Sequence, residues 1–571
     1  MSSATLPRRY IPHSNTPPTD IKAVKHRIHE ALAENVLRVH RHPSTSPKVY
    51  HGSAGEIIMD MRTFGILPSK NFPNTATSSL IADPFHEPRD GSHVAYLETS
   101  VGPATLVLVR QLRLRQSPES TANKHARRGK LDGELLDEVE LSETWRGAID
   151  LLHSAQEVAV SEALDDDGCE VLYGRAGLLY ALLVLKSELA VTLSYLEQTR
   201  KTKDKIVRDV EKLCSHDNLK ELVDDIIKRG EFGAQRYAEE LEDSERANAP
   251  PLIWRWHEAR YLGAAHGVVG ILHPILYAPS NIIKPHWDKI LATVQWLLAV
   301  QDPLGNWPTK ADRHMPVIPG GSATHAESKH VAIDEEHDDS LVQWCHGASG
   351  FLMFFSALLR RASLSPSACP LPPSLRESIV AAVTRAGELV YTRGLLRKGV
   401  GLCHGVGGSV YALLAVSDAL DSFASPNVPS SRHANGASPH SHGFSGLARS
   451  MTRSPPLPAD LDEQHAHWFR SALHLADLAT GWRVLMQEGK MEIPEHAYSL
   501  YGGVAGMVCA WAEVYTRLTG HAKEGIAHGN GHVPGDAGAG AGAGEPHAIA
   551  HAHATPRRGG MPGFDDLAMF E

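Results

Sequence analysis

Cysteine is scarce in this chain. Its six copies, at positions 169, 214, 345, 369, 403 and 509, are too few and too irregularly spaced for the disulfide framework of a secreted domain. Reduced thiols are the expectation. A basic surplus is also missing: the formal net charge is −10, which argues against nucleic acid or an anionic membrane surface as partner. The N-terminal MSSATLPRRYIPHSNTPP has no apolar core of the kind a signal peptide needs, and no run is expected to approach the apolar length that a transmembrane segment requires. Ser at position 2, where N-myristoylation requires Gly, excludes that anchor. Together these absences predict a cytoplasmic protein, with the nucleus as a further location. Strand signals are sparse as well.

What is present is repetition. Hydrophobic residues make up 42% and charged residues 21%, so a large core can be buried. The length of 571 residues would suggest several ordinary domains, but a recurrent glycine motif overrides that prior. The copies are YHGSAG at Tyr50–Gly55, YGRAG at Tyr173–Gly177, AHGVVG at Ala265–Gly270, WCHGASG at Trp344–Gly350, LCHGVGG at Leu402–Gly408 and YGGVAG at Tyr501–Gly506. A degraded copy, TSVGPA, stands at Thr99–Ala104. Each opens an apolar run such as FLMFFSALLRR after Gly350, apolar on nearly every side and hence a helix buried all round. Between the copies lie amphipathic stretches, among them Trp287, Ile290, Leu291, Val294, Leu297 and Leu298 at helical spacing. Buried helices alternating with amphipathic ones predict an all-α fold, an α/α toroid of about seven inner and seven outer helices.

The expected organisation is an N-terminal arm at 1–40, the toroid at 41–520 and a low-complexity His/Gly/Ala-rich tail at 521–571. The Ser/Pro/His-rich 425–458 reads as a disordered insertion, because such a composition cannot bury enough apolar surface to offset its ordering entropy. The charged stretches 117–140 and 311–339 read as long loops or insertions.

Two of the repeat copies carry the same tripeptide, Cys345-His346-Gly347 and Cys403-His404-Gly405. If all inner helices start at one end of the ring, these thiols and imidazoles converge, and the helix dipoles favour thiolates there. Soft sulfur with imidazole selects zinc, and two cysteines with one histidine give three protein ligands and an open fourth position. His266 and His51 precede their repeat glycines in the same way, making His266 a candidate acid or base. Trp344 is expected to wall the site.

These motifs resemble the lanthionine synthetase C-like (LanC-like) family, in particular its eukaryotic branch. The matching stretches are YGRAGLLYALL, AAHGVVGI, GNWP at Gly305–Pro308, QWCHGASG, KGVGLCHGVGGSVYALL and YSLYGGVAG. The resemblance implies Cys345, Cys403 and His404 as zinc ligands, with His266 and His346 beside them as catalytic candidates. It further implies glutathione as ligand or co-substrate, added as a thiol to dehydroalanine or dehydrobutyrine residues of proteins. Lys398 matches the lysine that contacts the ligand, Arg9 an N-terminal arginine, and Glu492, Ile493, Pro494 and Glu495 a contact strip before the last repeat. Glu492 stands where the family has a basic residue. Lys398 could pair with a glutathione carboxylate or with a phosphate on a phosphorylated protein substrate. Two other functions fit parts of the pattern: a non-catalytic zinc- and glutathione-binding signalling adaptor on the same fold, and an α/α-toroid glycoside hydrolase. The latter needs paired carboxylates, of which the motifs offer only Glu56.

Overall fold

The computed structural model describes residues 8–68, 85–116, 134–311, 340–421, 466–519 and 559–571. The expected insertion 425–458, residues 312–339 and the tail residues 521–558 lie outside the described residues. So does most of 117–140, whose last residues open a helix.

The first helices are α1 (Ile21–His40), α2 (Ser53–Thr63), α3 (Val101–Arg115), α4 (Glu134–Ser161), α5 (Arg175–Gln198) and α6 (His216–Glu240). They are followed by α7 (Val268–Ile275), α8 (Trp287–Ala299), α9 (Ala348–Leu364), α10 (Pro373–Arg393), α11 (Val406–Leu420), α12 (His467–Ala479) and α13 (Val504–Thr519). Further helices, of which Lys205–Leu213 is the longest, link some of them. Strand pairing among the described residues is limited to isolated bridges such as Tyr10 with Leu396.

The seven helices α2, α3, α5, α7, α9, α11 and α13 touch their neighbours in that order, and α13 returns to α2, so an inner ring closes. Their residues are buried nearly all round, as in Val406–Ser417 of α11. The other six, α1, α4, α6, α8, α10 and α12, pack outside with one face buried. In α6 that face is Leu219, Leu222, Val223, Ile226 and Ile227, spaced as a helix requires. The chain is therefore an all-α toroid with seven inner and six outer helices among the described residues.

Three expectations change. The N-terminal arm was bounded at residue 40, yet α1 belongs to the ring: Asp20 caps it by accepting from Ala23 N–H at 3.0 Å. Its buried stripe of Val24, Ile28, Leu32, Val36 and Val39 needs an apolar partner, which α13 and α2 supply at the ring's closure. The tail was bounded as 521–571, yet 559–571 packs inside the toroid, with Met561, Phe564, Asp565, Leu567 and Ala568 buried. Finally, α5 is long and apolar enough by composition to cross a membrane, contrary to the expectation that no run qualifies. Its apolar surface is instead used as an inner-ring helix, largely buried by its neighbours.

The loops that open the inner helices are hydrogen-bonded into a circle. Tyr50 N donates to Leu97 O, Val94 and Ala95 N to Tyr173 O, and Val171 N to Ala265 O. Ala265 N then donates to Cys345 O, Cys345 N to Cys403 O, Cys403 N to Tyr501 O, and Tyr501 N back to Tyr50 O. The second glycine of the motif permits this closeness. A Cβ on Gly350 would lie 2.4 Å from Trp344 O and 2.7 Å from Ala264 Cβ of the next loop.

Candidate metal centre

That circle makes the loops before α9 and α11 direct neighbours, which is why cysteines distant in the chain meet. Cys345 N lies 3.3 Å from Cys403 O. The two sulfurs and a ring nitrogen of His404 all lie within 4.8 Å of one another, the one such group of potential ligands found among the described residues. Both cysteines are almost fully buried, and His404 is half-buried.

Local sequence holds this geometry. Gly347 adopts φ +104°, and a Cβ there would sit 1.9 Å from Leu341 O, so the turn between His346 and α9 requires glycine. Buried Asn306, from the GNWP stretch, accepts from Ala348 N at 2.8 Å and donates to Leu341 O at 3.1 Å, tying the start of α9 to the loop before Cys345. Trp307 anchors the stretch by stacking on Phe351, 4.3 Å between centroids and 3° from parallel.

The two sulfurs are electrostatically coupled. The hydrogen bond from Cys403, opposed by burial and aided by His404 and His346, draws the Cys345 thiol well below its ordinary value. The same bond, together with burial, pushes Cys403 well above its own. The directions are opposite because two adjacent buried sulfurs can share one negative charge but cannot both carry one unaided. Gln343 Nε2 donates to Cys345 Sγ at 3.1 Å, and the Tyr50 hydroxyl bonds Cys403. A divalent cation would supply the missing positive charge, and two thiolates with an imidazole are a donor set that suits zinc. The residues present therefore fit the group.

His266 stands beside this cluster, its ring 6.4 Å from that of His346. Its Nδ1 lies 3.1 Å from Oε2 of Glu170, a carboxylate with no exposed surface. Glu170 is fixed in turn by the N–H groups of Leu172 and Tyr173, both at 2.6 Å. Trp256 stacks flat on the His266 ring at 5.5 Å and 2°. With Nδ1 engaged, Nε2 of His266 remains for other partners. His346 differs: its Nδ1 is buried without a hydrogen-bond partner, and burial pushes its imidazole below the ordinary value.

A cleft of about 1080 Å³ opens beside the sulfurs, with Tyr50, Glu98, Tyr173, Trp256 and His266 in its wall. Cys345 and Cys403 do not line it, so Tyr50 and His266 mark the boundary between cleft and metal group. His51 is bonded to Glu98 at 3.3 Å and stacked on His496, away from the sulfurs. Trp344, the residue before Cys345, is fully buried.

The expected contact residues converge on one edge. Arg397 N donates to Arg9 O at 3.0 Å, and Glu492 N donates to Arg397 O at 2.6 Å, so Arg9, Lys398 and Glu492 lie on adjoining strips. Lys398 is exposed, and its charge is felt by Cys403 and His346. Pro494 packs against Gly399, placing it within a few residues of the Cys403 loop. Ile493 is 74% exposed, and Glu495 is exposed. Glu56 accepts from Ser44 N at 2.7 Å and is thus engaged in the loop before α2.

Sequence reading missed Glu170, Gln343, Asn306, Tyr50 and Trp256. For Tyr50 a signal existed: it sits two residues before its repeat glycine, the place held by Cys345 and Cys403 in theirs. No periodicity marks Glu170, whose partner His266 only the closed ring supplies, or Gln343, which bonds Cys345 two residues along the same loop.

Comparison with known proteins identifies the family. A family model described as lanthionine synthetase C-like protein matches residues 140–425, half of the chain, including Glu170, His266, Cys345, Lys398, Cys403 and His404. A protein named glutathione S-transferase LANCL1, from Danio rerio, is 26% identical over 255 residues, 43% of this chain and 46% of that protein. LanC-like protein GCL1, from Arabidopsis thaliana, is 26% identical over 346 residues, 60% of this chain and 54% of that protein. The matches thus span about half the length of these curated relatives. With a closed seven-helix inner ring and half its length matched by the family model, the chain belongs to the lanthionine synthetase C-like family.

Proposed function

We propose that this chain is a zinc-dependent enzyme that adds the thiol of glutathione to dehydroalanine or dehydrobutyrine residues of peptides and proteins. The observation that carries the reading is the convergence of Cys345, Cys403 and His404. The name of the Danio rerio relative supports the glutathione part. A free thiol has a pKa of about 8.5 and is mostly protonated at neutral pH. Cys345, Cys403 and His404 would hold the zinc, which would supply the Lewis acidity that lowers the pKa of a thiol bound to it.

The chain's own residues do the rest. Lys398, with Arg9 on the same edge, binds and orients the tripeptide's carboxylates, and the acids Glu492 and Glu495 of the adjoining strip suit its amino group instead. In the addition one S–C bond forms at the β-carbon and the C=C π pair moves to the α-carbon, which takes up a proton. Nε2 of His266 holds that proton, because Glu170 engages Nδ1 and fixes the ring's direction. His346 is the second candidate, but its unpartnered Nδ1 leaves the ring without an orienting group. Trp256 and Tyr173 wall the cleft in which the dehydro-peptide lies. The six unpaired cysteines suit a reducing compartment such as the cytoplasm.

Mass spectrometry of glutathione incubated with a dehydroalanine peptide tests the reading. Wild type is expected to accelerate thioether formation and Cys403→Ala to abolish the acceleration. Equal rates would defeat it.

A further inference from the structure

The described C-terminal residues 559–571 lie in the middle of the ring, far along the chain from the helix that precedes them. The Asp565 carboxylate meets Arg360 Nη2 at 3.1 Å, His273 Nε2 at 3.2 Å and the Tyr277 hydroxyl. Asp566 accepts from Tyr180 at 2.5 Å and from Arg62 at 2.6 Å. Arg361 Nη1 donates to Phe570 O at 2.8 Å. These contacts come from α2, α5, α7 and α9 or from within two residues of their ends, so one short segment ties opposite parts of the inner ring. The turn that seats it needs glycine, since Gly563 has φ +82° and lies against the Tyr501 hydroxyl and Leu97.

Its upper end reaches the two loops that carry the cysteines. The Phe564 ring stacks on His273 at 4.1 Å and meets Trp344 edge-on at 5.1 Å and 84°. Trp344 directly precedes Cys345. Pro562 O accepts from the Tyr501 hydroxyl at 2.9 Å, and Tyr501 O accepts from Cys403 N at 2.9 Å. Trp344 and Tyr501 themselves touch at 5.2 Å. Phe564, Trp344 and Tyr501 thus form an aromatic cluster joined to both cysteine loops, through the chain at Cys345 and through the Cys403 N–H.

We infer that the C-terminal segment is a positioning plug: anchored by its two aspartates in the ring, it holds the Cys345 and Cys403 loops at metal-binding separation through Phe564 and Pro562. Thiolates at one metal must keep a fixed spacing, and outer groups that fix ligand direction change metal affinity by about 10- to 100-fold when removed. The inference rests on the zinc reading above.

The test is zinc affinity, measured by competition with a chromophoric chelator, in full-length Phe564→Ala beside wild type and Leu222→Ala. Leu222 is a buried residue of the outer helix α6, so its variant reports what a core cavity does by itself. Phe564→Ala is expected to bind zinc about 10- to 100-fold more weakly. Leu222→Ala is expected to lower the unfolding temperature while leaving zinc affinity as in wild type. Unchanged affinity in Phe564→Ala, or an equal drop in Leu222→Ala, overturns the plug. Wild type that holds no zinc sinks the metal reading instead. Asp565→Asn, which keeps the segment's shape and removes its charge, gives a second variant should Phe564→Ala fail to fold; it too is expected to weaken zinc binding, and unchanged affinity overturns the plug.

Discussion

Replacing Glu170 by glutamine separates orientation of His266 from the proton chemistry itself. The carboxylate accepts three hydrogen bonds, Oε2 from Leu172 N and His266 Nδ1, Oε1 from Tyr173 N. Glutamine keeps the shape and loses one acceptor. An NH₂ group in the Oε2 place would face two donors, and in the Oε1 place one, so the amide turns its nitrogen toward Tyr173. One buried donor is then left facing a donor, a cost of about 1–3 kcal/mol in stability. His266 keeps an oxygen partner, but the bond falls from the charge-assisted range of ~1.5–3 kcal/mol to the neutral range of ~0.5–1.5 kcal/mol. The difference, about 1 kcal/mol or slightly more, corresponds to a rate loss of roughly tenfold. His266→Gln removes the proton carrier and is expected to slow addition about 10²- to 10⁴-fold. Because Glu170 acts through His266, the double variant should be no slower than His266→Gln alone. Initial rates of thioether formation for the four proteins decide the matter. A further tenfold loss in the double variant would refute the coupling.

Lys398→Glu should raise KM for glutathione up to roughly fivefold with little change in kcat, since an exposed ion pair is worth about 1 kcal/mol or less. The effect should shrink as ionic strength rises, and a salt-independent change in kcat would count against a binding role. Acid should loosen the C-terminal segment in two stages. Burial outweighs Asp565 and holds the His273 imidazole below 6.5, so its neutral form stabilises the fold above that pH and the contribution is lost as pH falls. Burial would raise the Asp565 carboxyl, but Arg360 and His273 outweigh it and hold it below 3.8. That second contribution is present above 3.8 and disappears as pH drops further. Thermal unfolding of wild type should therefore fall below pH 6.5 and again below about 3.8, the second step being smaller in Asp565→Asn and carried there by other carboxyls held low, such as Asp90 and Asp224.

The ring was legible because its cause is local. Each inner helix announces itself by a glycine pair before an apolar run, and even TSVGPA, with one glycine missing, opens α3 as expected. The sulfur pair was legible for the same reason, as a tripeptide repeated at equivalent turns. What escaped depends on contacts between distant segments. The stripe of α1 is visible in sequence, but only closure against α13 shows that it belongs to the ring. The final PGFDDLAMFE is too short for periodicity, and its aspartates gain meaning only beside Arg62 and Arg360. Glu170 looks like an ordinary loop acid until the circle of loop hydrogen bonds brings His266 to it.

Metal analysis of the purified protein tests the central claim most directly, with wild type, Cys345→Ala and Cys403→Ala measured side by side under identical preparation. The account predicts about one zinc per wild-type chain and almost none in either variant, each retaining its helical circular dichroism. Zinc retained at wild-type level in both folded variants, or absent from wild type, would contradict it.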